Sequence, residues 1–455
     1  MEDEFLNNEL VEQFEKMLDN KEQYYFDSEQ LLEIISFYLD VNDFEYAKKA
    51  LEYAFALHTD NYEIKIKQIE YHLSLTQLKK ASELIQELKD IASEDLEYQL
   101  VVARYWGIKN MPRKAIQFYE KAIEHGEDLD FIFNCIGNEY LNLDEVSTAL
   151  LYFKQGLEFS EDNDYSFYSI IQCYDELHAP KDCILFLQEY IDNNPYSEAA
   201  WSQIGLQYEK VKQYEKALEA YDYVTVINPM SISGYTQKAN ILDYLGRYEE
   251  AIKTFEESLE YDDSPAITHL RIGECYEKLE QPFKALKEYH LSIKEDPQLD
   301  KVWGKTSNLY ATIGNFQEAL FYINRAIDLD DNNVEYWKTH CYLLIKVGKY
   351  EEAIQSYRTV VEIEPLRLNN WLALIEANIV MEEYQTAIKE ALLALIHFNR
   401  AEIYYQLSTC YFSTGEEDLG KEAFIKAVNL DESIKEEYLL KYPILQKYFS
   451  VSEDE

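Results

Sequence analysis

The run Gly415-Glu416-Glu417-Asp418-Leu419-Gly420-Lys421 has the spacing of a phosphate-binding loop: two glycines with four residues between them, then lysine. Such a loop aims backbone N–H groups at phosphate oxygens and needs Ser or Thr after the lysine to reach Mg²⁺. Here that position is Glu422, three carboxylates crowd the loop, and no strand pattern precedes it. No nucleotide is expected to bind. His58, His72, His125, His178, His269, His290, His340 and His397 include no HExxH and no other ligand spacing. Cys135, Cys173, Cys183, Cys275, Cys341 and Cys410 form no CxxC, and no histidine stands at a telling offset from any of them. Cys173, Cys183, Cys275, Cys341 and Cys410 read as buried free thiols. Carboxylates are so numerous that a pair at catalytic spacing decides nothing, and most read as a solvated face. The residues therefore predict no catalytic, cofactor or metal site, and a chain that is not an enzyme.

Charge narrows the partners. In 455 residues, 42 Lys and Arg stand against 86 Asp and Glu, so the formal charge is 42 − 86 = −44. Nucleic acid and anionic lipid both require a basic footprint, so neither is expected as a partner. A hydrophobic fraction of 47% excludes a disordered chain. No uncharged apolar stretch approaches the length of a membrane span. The start, Met1-Glu2-Asp3-Glu4-Phe5, is acidic where a signal peptide is basic. With cysteines that suit a reducing compartment, the expected location is cytoplasmic.

The elements behind these residues repeat. Trp303, Trp337 and Trp371 are 34 apart, as are Pro195 and Pro229. The same step links Ala47, Ala81, Ala115, Ala149, Cys183, Ala217, Ala251, Ala285, Ala319, Ala353 and Ala387. Within each step, apolar residues at positions four, seven, eight and eleven give one helix a single sticky stripe. A small residue at position twenty lets a second helix approach it closely, and an aromatic at twenty-four fills the space beyond. Gly246, Gly314, Gly348 and Gly415, at position fifteen, suit the positive φ that stops the first helix. Pro112, Pro180 and Pro282 suit the first turn of the second.

A 34-residue unit of two helices resembles the tetratricopeptide repeat. Residues 198–231 carry its pattern as Trp201, Gly205, Tyr208, Ala217, Tyr221 and Pro229, and 334–367 as Trp337, Leu344, Gly348, Tyr350, Ala353, Tyr357 and Pro365. The resemblance implies an all-α solenoid, a right-handed superhelix of about twelve hairpins. The units are 28–61, 62–95, 96–129, 130–163, 164–197, 198–231, 232–265, 266–299, 300–333, 334–367, 368–400 and 401–434. Each hairpin needs a neighbour to cover its faces, so the ends need caps. Residues 1–27 offer an N-terminal capping helix through Phe5, Leu10, Phe14, Met17 and Leu18. Residues 435–455 offer a C-terminal one through Tyr438, Leu439, Tyr442, Leu445 and Phe449, followed by an acidic tail.

The family also implies a site. Its concave wall is formed by the first helix of each unit, chiefly positions two, five, nine, twelve and thirteen. The fourth unit then contributes Phe131, Asn134, Asn138, Leu141 and Asn142, and the fifth Tyr165, Tyr168, Gln172, Asp175 and Glu176. The ninth and tenth contribute Lys301, Asn308, Lys338, Tyr342, Ile345 and Lys346. Amides can both donate to and accept from an extended backbone. Residues 130–197 hold thirteen acids against Lys154 and Lys181, a net of 2 − 13 = −11, whereas 300–367 hold ten acids and eight bases, 8 − 10 = −2. The expected function is a scaffold that binds a protein or peptide, of basic character, in the groove. The alternative is a holding chaperone for a basic protein. A carboxylate-clamp co-chaperone is not expected: Asn240, Lys301 and Lys305 fit that pattern, but Thr236 and Arg271 break it.

Overall fold

A computed structural model describes residues 2–19, 24–160 and 163–449, with side chains from residue 9 onward. Among these residues there is no strand, and the chain forms two compact units, 1–193 and 194–455. Unit 1 opens with α1 (Glu2–Leu18) and continues as α2 (Ser28–Asp40), α3 (Phe44–Leu57), α4 (Tyr62–Ser74) and α5 (Leu78–Leu88). It ends with α6 (Leu96–Ile108), α7 (Pro112–Ile123), α8 (Leu129–Leu141), α9 (Val146–Phe159), α10 (Asp164–Glu176) and α11 (Pro180–Asn193). Unit 2 begins with α12 (Glu198–Lys210), α13 (Tyr214–Ile227), α14 (Ile232–Tyr244), α15 (Tyr248–Ser258), α16 (Ala266–Lys278) and α17 (Pro282–Glu295). Then come α18 (Asp300–Ile313), α19 (Phe316–Leu329), α20 (Val334–Lys346), α21 (Tyr350–Ile363), α22 (Leu368–Val380) and α23 (Tyr384–His397). It closes with α24 (Ala401–Thr414), α25 (Glu417–Leu430), α26 (Lys435–Lys441) and α27 (Pro443–Phe449). Each unit is an all-α repeat solenoid of helix hairpins, and no described helix is long and apolar enough to cross a membrane.

The hairpins close at position twenty. Ala47, Ala81, Ala115, Ala149, Cys183, Ala217, Ala251, Ala285, Ala319, Ala353 and Ala387 are all buried. Opposite them, position eight is small in eight of the twelve hairpins and isoleucine in the other four, at Ile35, Ile69, Ile171 and Ile375. A methyl group on Gly137, Gly205 or Gly273 would overlap the ring of Phe153, Tyr221 or Tyr289 respectively. Where position eight is serine, its hydroxyl donates to the facing carbonyl: Ser307 to Ala319 at 2.7 Å and Ser408 to Gly420 at 2.8 Å. Between successive hairpins of unit 2, the indole N–H of Trp201, Trp303, Trp337 and Trp371 donates to the carbonyls of Pro195, Pro297, Asp331 and Pro365 at 2.7–3.0 Å. The tryptophans thus tie these four helix pairs to the turn before them.

The stop of the first helix is uniform where the sequence is not. Gly246, Gly314, Gly348 and Gly415 have φ of 76–89°. Asn42, Thr76, Asn110, Asp144, His178, Lys212, Glu280 and Glu382 hold the same position in the other units, with φ of 51–61°. In every unit the next N–H reaches back across the turn, from Asp43 to Tyr38 through Glu416 to Tyr411, at 2.8–2.9 Å. This is the Schellman closure, which satisfies a carbonyl that the helix end would leave unpaired. Glycine is one way to occupy it, not a requirement.

At the N-terminal end Phe14 is fully buried beside Phe26 and Tyr38, with Leu10, Met17 and Leu18 packed around them. Phe5 lies outside the described side chains, and residues 450–455 lie outside the described residues. At the C-terminal end a single capping helix is not what forms. Residues 435–449 make two short helices, α26 and α27, broken at Tyr442 because Pro443 starts the second. Tyr438, Leu439, Tyr442 and Leu445 are buried against the last hairpin, and Phe449 stacks on Phe424 at 3.7 Å.

Candidate functional site

In unit 1 the expected wall lies on α8 and α10. Phe131, Tyr165 and Tyr168 are about half exposed. The Tyr165 hydroxyl donates to Asn138 Oδ1 at 2.7 Å, which joins the two helices across the wall. Gln172 Nε2 donates to Glu176 Oε1 at 2.8 Å, and Asn142 Nδ2 to Glu139 Oε2 at 3.3 Å. Gln172, Asp175, Glu176 and Asn142 are exposed.

Asn134 does not belong to this surface. It is buried, and its Oδ1 accepts from the buried Ser166 hydroxyl at 2.7 Å. The space for it exists because Gly156, on the second helix of the pair, has no side chain there. At the same position in the next hairpin Tyr168 is about half exposed, and Tyr190 stands there where Gly156 stands in this one. In unit 2, Asn308 is exposed on α18, and Lys338 is bound to Glu335 at 2.9 Å. Tyr342 is about half exposed, with the Lys346 ammonium 5.3 Å from its ring centre. Asn308 and Tyr342 occupy the same register position in successive hairpins, 308 + 34 = 342.

Arg271, Lys301 and Lys305, the positions weighed against a carboxylate clamp, come together on α16 and α18 around Glu274, which the sequence did not single out. Arg271 Nη1 donates to Glu274 Oε2 at 2.8 Å, while Lys301 and Lys305 Nζ lie 3.5 and 3.3 Å from Oε1. Burial works against the Glu274 charge, but Lys305, Arg271 and Lys301 together outweigh it and hold the carboxyl below its ordinary range. The available signal was register: Glu274 interrupts a series in which Asn240 and Asn308 stand 34 residues to either side.

Elsewhere the reactive-looking groups are occupied structurally. Gly415 is the left-handed cap of α24, Gly420 packs against the Phe412 ring, and Lys421 lies 3.9 Å from Glu417. A helix, not a strand, leads into that loop. Burial, with Glu176 adding to it, pushes the Cys173 thiol up to about 11. Burial first, then Asp243, pushes Cys275 up to about 12, and burial does the same to Cys341. Such thiols stay protonated near neutrality and make poor nucleophiles. His269 bonds Glu288 at 2.8 Å, and His340 bonds Ser356 at 2.9 Å. Among the described residues no group of three or more His, Cys, Asp or Glu is placed to hold a metal.

Comparison with known proteins agrees with the repeat. A tetratricopeptide repeat family model matches residues 232–265, 301–333, 342–365 and 401–434. These four stretches contain Gly246, Gly314, Gly348 and Gly415, the hairpins whose stop is glycine. No curated protein matches the sequence. Among solved structures, the chain is similar to the C-terminal part of a TPR repeat-containing protein from Cytophaga hutchinsonii, at 16% identity and a TM-score of 0.43. That match covers 51% of this chain and 96% of the other. YrrB, described as a TPR protein with an unusual peptide-binding site, matches at 19% identity and a TM-score of 0.33, over 39% of this chain and 92% of its own. The APC/C hetero-tetramer Cut9-Hcn1 matches at 12% identity and a TM-score of 0.35, over 94% of this chain and 95% of that one.

Proposed function

We infer, from the chain's being a tetratricopeptide repeat protein, that it is a non-enzymatic scaffold for protein partners. We propose that α8 and α10 carry its docking wall for an extended segment bearing Lys or Arg. One observation carries this reading: Phe131, Tyr165 and Tyr168 are about half exposed on α8 and α10, and the acids Asp175 and Glu176 are exposed about two to three turns further along α10. Exposed rings supply contact area with a polar tip. Asp175 and Glu176, within a segment of net −11, supply attraction. The Tyr165–Asn138 bond fixes both side chains before a partner arrives, which lowers the ordering cost of binding. Asn138, Asn142 and Gln172 offer amides to the partner backbone. Asn308, Lys338 and Tyr342 give unit 2 a wall of different charge, suited to a different stretch of partner.

Stopped-flow binding of a fluorescent, extended Lys/Arg-bearing peptide tests the wall. Exposed charges act over a screening length of about 8–10 Å near physiological salt, so association should slow as salt rises. Replacing Asp175 and Glu176 by Asn and Gln should mainly lower the on-rate. Replacing Asn138 and Tyr168 by Ala should mainly raise the off-rate, by about tenfold or more. Unchanged kinetics in both pairs would remove the wall from the account. Binding that follows only the total positive charge of the ligand, and survives both pairs, would favour the holding chaperone instead.

A further inference from the structure

Position twenty-one of the repeat is Leu or Ile in nine of the twelve hairpins. At Ile116, Ile252 and Leu286 that side chain is buried against the hairpin that follows. In the second hairpin the position is Ser82, too short to fill the space, and a cleft of about 730 Å³ opens between α5 and α6. The helix α5 lines it through Lys79, Ser82 and Glu83, and α6 through Tyr105 and its C-cap, Lys109. Position fourteen is Val, Leu, Ile or Met in ten hairpins, and Lys109 is one of the two exceptions. Two polar departures from the register, in adjacent hairpins, thus meet in one cleft.

The cations around it have capacity to spare. Residues 104–121 hold five bases against Glu120, 5 − 1 = +4. Of these, Arg104 and Arg113 pair with Glu70 and Glu145 at 3.5 and 3.2 Å. Among the described residues no carboxylate lies within ion-pair distance of Lys79, Lys109 or Lys114, in a chain of 86 acids and 42 bases. The Lys109 ammonium lies 4.6 Å from the Tyr105 ring centre, and that of Lys114 4.1 Å from the Trp106 ring centre. Burial alone would raise the Tyr105 phenol, yet hydrogen bonds with Lys109 and Ser82, and the charges of Lys109 and Lys114, hold it below its ordinary value. The buried phenols of Tyr98 and Tyr119 are raised instead. The cleft is a place of positive potential. An ammonium can only donate, so one O–H of the Ser82 and Tyr105 pair remains for a ligand.

We propose that this cleft is a phosphoryl site: Lys79 and Lys109 hold the oxygens of a phosphate monoester, Ser82 and Tyr105 supply a hydroxyl donor, and Lys114 adds charge from beside it. Ammonium groups bind phosphate as point charges. Lys79, Lys109 and Lys114 against Glu83, the acid of the lining, leave 3 − 1 = +2. A phosphate monoester carries about −2 near neutrality, which matches that excess, whereas a carboxylate carries half of it. The cleft is larger than a phosphoryl group and takes its carrier as well, with Leu78 as an apolar side. That carrier is a phosphorylated side chain of a partner or a small monoester in solution, and the chemistry at the lysines is the same. One phosphoryl group asks for a local cluster, not the extended basic footprint of nucleic acid, so the net −44 does not oppose it. The residues hold positions ten, fourteen, eighteen, nineteen and twenty-one, none of which belongs to the concave wall. The site is thus separate from the docking wall on α8 and α10.

The test is isothermal titration calorimetry on the full chain at low salt, with an acetylated and amidated Gly-phosphoserine-Gly peptide, its serine and glutamate counterparts, and inorganic phosphate. The phosphoserine peptide should bind saturably, the glutamate peptide at least tenfold more weakly, and the serine peptide not at all. A phosphopeptide that binds more tightly than inorganic phosphate assigns the site to a phosphorylated partner, and equal binding assigns it to a small phosphate in solution. Ser82→Leu restores the common residue of the register and fills the cleft, so it should abolish binding without lowering Tm. Lys109→Gln should weaken binding about tenfold or more, and Lys109→Arg should keep it. Circular dichroism checks that each variant folds. The proposal is overturned if neither phosphate ligand binds, if the glutamate peptide binds as tightly as the phosphopeptide, or if Ser82→Leu and Lys109→Gln both bind as the wild type does. None of these outcomes bears on the wall of α8 and α10, whose residues the variants leave unchanged.

Discussion

Thr76 shows what one residue concedes to the fold. Its φ of 54° places a β-branched, exposed side chain in the left-handed region, where its branched Cβ crowds the neighbouring carbonyl. That conformation costs about 1–2 kcal/mol for an ordinary L-residue. It persists because the Gln77 N–H to His72 carbonyl bond, at 2.8 Å, and the packing on both sides over-determine it. Thr76→Gly should therefore stabilise the α4/α5 hairpin by about 1 kcal/mol, after allowance for the greater freedom of glycine in the unfolded chain. Asn42→Gly should gain less, because asparagine already tolerates the region. Slower hydrogen exchange at Gln77, and a smaller change at Asp43, would show it. A faster Gln77 would mean that the threonine side chain contributes something its exposure does not reveal.

At the scale of the helix pair, the small residue at position twenty governs. Ala251 is fully buried on α15 among Ala239, Leu242, Phe255 and Ile272. Ala251→Leu should overpack that crossing and cost about 1–3 kcal/mol. Because a hairpin of this kind couples only to its neighbours, the loss should concentrate in α12 to α17. Hydrogen exchange that loosens evenly throughout unit 2 would contradict this. The helix pairs were legible in the sequence for the same reason: a close crossing admits only Ala, Cys or Gly, and that demand recurs every 34 residues. The wall was less legible. Which way a polar residue on the first helix turns depends on what the second helix leaves open, and Gly156 with Ser166 drew Asn134 inward. Glu274 was less legible because register set Asn240, Arg271, Lys301 and Lys305 on one pattern but gave no role to an acid standing where asparagine recurs. The break at Tyr442 comes from Pro443, which starts a new helix within the apolar spacing that suggests one.

For the whole molecule, tyrosine sets the alkaline limit. Burial, aided by Glu209, holds the Tyr221 phenol far above its ordinary value of 10.0; Tyr119 and Tyr289 are likewise raised, burial first. Burial also pushes Tyr322 and Tyr405 up to about 12. A group whose folded value is raised contributes stability that is complete below the unfolded value, about 10, and lost as pH rises above it. Tm should thus hold steady up to about pH 10 and fall beyond it, with part of the tyrosinate absorbance appearing only on unfolding. A smooth titration of all the tyrosines without loss of helix would refute this. The uniform stop of the first helix has a further consequence, for descent. Its eight non-glycine side chains are all exposed, so no packing partner remembers which residue stood there. A residue other than glycine there costs up to about 1–2 kcal/mol, least for asparagine and aspartate, and the neighbouring hairpins absorb it. A lineage of such chains can erode its most recognisable letter one hairpin at a time while every turn keeps its shape, so that ancestry fades from the text before it fades from the form.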